Sequence, residues 1–113
     1  MLTLDSLRAF GADVTEGLGR CMNNEAFYLR MVRMVYADKN FDLLREAAAS
    51  GDVRQGFEAA HALKGILGNL SLKNMYVLAD DLTELLRPGE EVDFRPQAEE
   101  ILRLHEALRA LDN

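Results

Sequence analysis

Cysteine is almost missing from this chain. Cys21 stands alone, so no internal disulfide can form and no zinc site can be built from cysteines. With no basic neighbour in sequence to activate it, Cys21 reads as a small buried hydrophobe. Proline is scarce too, with two residues in 113, and there are almost no runs of β-branched residues in alternation. Both absences argue for an all-helical chain. No apolar run approaches the roughly 18 to 20 residues that cross a bilayer. The first twenty residues carry Asp5, Asp13 and Glu16 and lack an apolar core, so no secretory signal is expected. Basic charge is the scarcer sign: 13 Lys+Arg against 19 Asp+Glu leave a formal charge of −6. That balance excludes a basic footprint for nucleic acid.

The rest of the composition, 49% hydrophobic and 28% charged, suits one cytoplasmic globular domain over residues 1–113 with one core. The chain reads as a stand-alone monomer, although a domain cut from a larger hybrid kinase would read the same way. Gly11–Ala12–Asp13 ends a first short helix, and Asp13 with Glu16 has the spacing of a reciprocal capping box. Asn23 or Asn24 caps the next segment, where Phe27, Met31, Met34 and Val35 are expected on one apolar face. The five methionines are read mainly as core, with Met31 and Met34 able to flex. Asn40 is expected to interrupt that segment before a helix over Phe41–Ala49. Gly51 suits a left-handed helix end, and Asp52 with Gln55 repeats the box spacing. A long helix follows from Val53 to about Leu70. Met75, Leu78, Ala79, Leu82, Leu85 and Leu86 form the stripe of the next, which Pro88–Gly89 stops. Asp93 and Pro96 open a last helix with Ile101, Leu104, Leu108 and Leu111 on one side. The expected fold is an all-α, up-and-down four-helix bundle with additional short N-terminal helices.

The Val53 helix carries the functional signal. At 100° per residue from His61, the apolar residues Gly56, Ala59, Ala60, Leu63, Ile66, Leu67 and Leu70 gather on the opposite side, while Lys64, Gly65 and Gly68 fall about 60°, 40° and 20° from the histidine. His61 is therefore expected on the solvent face, with an ammonium one turn on and two bare positions beside it. A glycine inside a helix costs about 1 kcal/mol relative to alanine. Two on an exposed face are read as clearance, letting another protein approach the ring. Lys64 can hold an anion there, and Phe57, one turn earlier, is read as an exposed docking aromatic.

The stretch Ala60-His61-Ala62-Leu63-Lys64-Gly65-Ile66-Leu67-Gly68-Asn69-Leu70 closely resembles the motif of histidine-containing phosphotransfer domains, the intermediate carriers of two-component phosphorelays. The likeness extends over most of the chain. The resemblance implies a four-helix bundle whose exposed histidine accepts a phosphoryl group from a phospho-Asp receiver domain and passes it to another. It carries over His61 as phosphoacceptor, Lys64 as charge-stabilising neighbour, and Gly65 and Gly68 as clear surface. Phe57, Glu58 and Asn69 join these as expected partner contacts. The implied partners are response-regulator receiver domains and a sensor or hybrid histidine kinase, with no nucleic acid and no membrane. No cofactor of its own is implied, Mg²⁺ being expected on the receiver. Two positions depart from the family: Ser71 replaces a common glycine and is expected to cap the next helix, and Thr83 stands where many members place a ring-orienting glutamine, with Asp80 three residues before it and Glu84 next to it. Thr83, one of these acids, a water or nothing is left to orient the ring.

The chemistry agrees. A neutral imidazole is a nucleophile at physiological pH, and phosphoryl transfer needs positioning and charge neutralisation more than covalent catalysis. No nucleotide-binding glycine loop is present, so a phosphocarrier without an ATP site is expected rather than an enzyme. Three other readings compete with this one. His105-Glu106-Ala107-Leu108-Arg109 superficially matches a kinase phosphoacceptor box, but His105 lies in the Ile101/Leu108 stripe and reads as a semi-buried structural histidine. Glu58-Ala59-Ala60-His61 has the spacing of di-metal bundles, yet no second copy exists. The alternative function is a helical adaptor docking receiver or kinase domains without phosphoryl chemistry. Lys73 reads as a plain surface lysine, or as added positive potential near the site; Glu90-Glu91 and Glu99-Glu100 read as solvated helix-end charges.

Overall fold

In the computed structural model, which describes residues 1–113, the chain forms seven helices and no strand. They are α1 (Leu4–Phe10), α2 (Val14–Arg20), α3 (Glu25–Val35), α4 (Lys39–Ser50), α5 (Val53–Asn69), α6 (Lys73–Leu86) and α7 (Arg95–Ala110). Short polar side chains start the first five. Thr3, Asp13, Asn24, Asp38 and Asp52 each accept a bond from a backbone N–H of the first turn, supplying acceptors that the helix itself lacks there. Only half of each expected box forms at Asp13 and Asp52. Glu16 turns instead to the Ser71 hydroxyl at 2.8 Å, and the Gln55 amide donates to the Leu43 carbonyl at 3.1 Å. The break before α4 falls at Tyr36–Asp38, and Asn40 lies inside the helix. Gly51 ends α4 at φ 75, as expected for a left-handed terminus.

Helices α4 to α7 form the bundle: α5 packs between α4 and α6, and α7 closes the remaining side against both. The core is continuous, with Phe41, Leu44, Leu63, Leu67, Met75, Leu82, Phe94 and Ile101 almost fully buried. The N-terminal helices cap the end where α5 turns into α6. There the Tyr28 hydroxyl donates to the Leu70 carbonyl at 2.9 Å, the Asn74 amide to the Phe10 carbonyl at 2.8 Å, and the Asp13 N–H to the Ser71 carbonyl at 2.8 Å. Burial pushes the Tyr28 phenol up to about 12, keeping it a donor.

Several stripes shift on packing. In α3 the buried face is Tyr28, Val32 and Val35, whereas Phe27 and Met34 are exposed and Met31 half-buried. The phenol bond to Leu70 favours Tyr28 over Phe27 as the inward aromatic. Only Met75 of the five methionines is core; Met1, Met22 and Met34 are exposed. Leu85 is exposed and Thr83 takes its inward place in α6. Ser71 does not cap α6. It is buried at φ 55, and Leu72 stands at the helix start without a side-chain cap. Cys21 is buried. No helix is long and apolar enough to cross a membrane.

Candidate functional site

Helix α5 sets the site. Gly56, Ala59, Ala60, Leu63 and Leu67 are buried, and His61 is exposed on the opposite face, as the 3.6-residue period requires. The ring lines a shallow cleft of about 370 Å³ with Lys64, Gly65, Gly68 and Asn69 from the same helix. Lys73 and Tyr76 enter from α6 and Arg20 from α2. The charged residues lining it are all cationic.

Gly65 opens on empty space: a Cβ built there meets nothing within 4 Å. Gly68 differs. A Cβ there comes within 3.1 Å of the Tyr76 ring, so its bareness has a packing reason across the α5–α6 turn. Lys64 is not a free ammonium. Its Nζ lies 2.9 Å from Asp80 on α6, and that pairing holds the ammonium above its usual range. Phe57 is half-buried rather than fully exposed. Its ring lies 5.8 Å from His61 at an interplanar angle of 34°, with the Arg87 guanidinium 5.3 Å from its centroid. Glu84 grips Arg87 from within α6, which lowers the Glu84 carboxyl and raises the guanidinium. Glu58 is exposed and pairs with Arg54 at 3.2 Å.

Thr83, the candidate to orient the ring, does not face the cleft. It is fully buried and its hydroxyl donates to the Ala79 carbonyl at 2.7 Å, so it serves its own helix. Lys73 is more than a plain surface lysine, because it borders the cleft and pairs with Glu16 at 3.1 Å. No group of three or more His, Cys, Asp or Glu side chains is arranged to hold a metal ion, and the Glu58/His61 spacing gathers no such set. His105 is buried, its ring stacked 3.7 Å from that of Phe41 at 9°. Sequence reasoning did not single out Arg20 or Tyr76 for the cleft. Both reach it across turns and between helices, where helical periodicity carries no signal.

An Hpt domain family model matches residues 34–113. The chain belongs to the Hpt domain family. The matched segment runs from the end of α3 through the four-helix bundle and contains His61, Lys64, Gly65 and Gly68, while α1, α2 and most of α3 lie before it. No curated protein and no solved structure matches. Membership of this family agrees with a place in phosphorelay signalling, and an Hpt domain is by family a carrier rather than an enzyme.

Proposed function

We propose that this Hpt domain is a phosphorelay intermediate in which His61 takes a phosphoryl group from a phospho-Asp receiver and hands it to another receiver. The observation that carries the reading is an exposed imidazole beside an open Gly65, in the family's motif, within a cleft whose charged lining is cationic. In the forward step a lone pair of the neutral ring attacks phosphorus and a P–N bond forms. The acyl-phosphate P–O bond breaks and the receiver's aspartate leaves as carboxylate, while the other ring nitrogen keeps its proton. Onward transfer reverses these changes on a second aspartate. Lys64 stabilises charge on the transferring oxygens by moving between Asp80 and the phosphoryl group. Gly65 admits the receiver's surface, and Gly68, Asn69, Glu58 and the free edge of Phe57 border the contact. Mg²⁺ and the carboxylates that hold it belong to the receiver in this reading; the chain contributes nucleophile, cation and docking face.

The test is phosphoryl transfer from radiolabelled phospho-receivers to the wild type and to His61→Gln. Acid-labile, alkali-stable label on the wild type alone is the expected result. Label on both would move the acceptor elsewhere. Label on neither, with receivers still bound, would make the protein an adaptor.

A further inference from the structure

We infer that Arg20 and Lys73 form a second cationic contact, apart from Lys64, that docks the carboxylate-rich face of the receiver domain; the inference rests on the phosphocarrier reading above. Arg20 sits at the end of α2, outside the segment that matches the family, so its place in the cleft is a feature of this chain's own N-terminal helices. One carboxylate serves both residues. Glu16 lies 3.1 Å from the Lys73 ammonium and 3.7 Å from the Arg20 guanidinium, and it also accepts the Ser71 hydroxyl bond at 2.8 Å. These contacts hold Glu16 below the ordinary glutamate range, the Ser71 hydroxyl bond contributing most. A single negative charge cannot neutralise two cations, and neither Glu16 nor Asp80 lines the cleft. Three cations line the cleft beside His61, and their two counter-carboxylates, Glu16 and Asp80, leave one positive charge unbalanced there.

The setting gives this local charge its use. The chain as a whole carries −6, so a cleft whose charged lining is cationic stands against the net charge. The cations gathered at the cleft turn an acidic face of the partner towards His61. Arg20 and Lys73 have side chains about half exposed, at 51% and 48%, so they reach a partner without unfolding anything. Glu16 and Ser71 moor them to the α5–α6 turn, which keeps the two charges ordered rather than sweeping through solvent.

The experiment titrates fluorescently labelled receiver domains of the source organism with wild type, the Arg20→Ala/Lys73→Ala double variant, and Arg20→Lys, each at low and high KCl. For receivers that bind the wild type, the double variant should raise Kd about fivefold or more at low salt and show a flatter salt dependence, as expected for lost rim charges. Arg20→Lys should keep affinity near that of the wild type. Unchanged Kd and salt slope in the double variant would overturn the inference. So would Arg20→Lys weakening binding as much as loss of the charge, since shape and not charge would then matter, or failure of every receiver to bind. Absence of label on the wild type in the transfer assay is a separate outcome. It removes the phosphocarrier reading and leaves the titration to decide the contact.

Discussion

At the scale of the residue, the two glycines flanking His61 look equivalent on a helical wheel and differ in space. Gly65 faces nothing within 4 Å, whereas Gly68 lies under the Tyr76 ring. Gly65→Ala should stabilise the domain by about 0.5–1 kcal/mol, the helix-propensity difference. Gly68→Ala should gain less, because Tyr76 must first give way; urea midpoints of the two variants check the order. Gly65→Gln should keep the fold and weaken receiver binding, and unchanged binding in a titration would count against the cleared-surface role. Ser71 shows the same dependence on place. Its φ of 55 is a left-handed conformation, costing a non-glycine residue about 1–2 kcal/mol, which accounts for the glycine common in the family at this position. Its hydroxyl bond to Glu16 offsets part of that cost. Ser71→Ala, which keeps the strain and loses the bond, should be less stable than Ser71→Gly by about 1 kcal/mol in chemical unfolding.

At the scale of the element, helix existence and most caps were legible, because short polar side chains before apolar periods act locally. Asp13, Asn24 and Asp52 cap as their spacing indicates. What failed was the return half of the boxes, since Glu16 and Gln55 found partners on other elements. The α3 stripe failed for a related reason: Phe27 and Tyr28 are both aromatic, and only the bond to Leu70 distinguishes them. Helix α5 is packed on its inner face to its limit. A Cβ at Gly56 would come within 2.7 Å of the Phe94 ring and 3.1 Å of Leu86, both buried. Gly56→Ala should therefore destabilise by about 1–3 kcal/mol despite its better helix propensity, measured as a lower urea midpoint with unchanged slope.

At the scale of the whole molecule, His105 joins α7 to α3 and α4: its ring stacks on Phe41 and its Nε2 lies 2.9 Å from the Tyr36 carbonyl. Burial lowers its pKa, against a smaller upward pull from the Tyr36 carbonyl, so the folded state favours the neutral ring. Stability from this group is complete above its unfolded value near 6.5 and falls as pH drops through the lowered folded value. Urea midpoints between pH 8 and pH 5 should fall for the wild type and stay flatter for His105→Phe. Asp112 acts in a lower window. The Arg33 guanidinium and the Leu2 N–H hold its carboxyl below the usual range, so its share is lost only as pH falls below about 4. From the sequence alone came the helical class, the bundle, the outward His61 with Lys64 and Gly65, and the inward His105, because each follows from a helical period within one segment. Tertiary structure alone decided the Asp80 counter-ion of Lys64, the burial of Thr83, the packing role of Gly68 and the entry of Arg20 into the cleft. These depend on which helix lies against which and at what height, and one-dimensional periodicity carries no information about contacts between turns far apart in the chain.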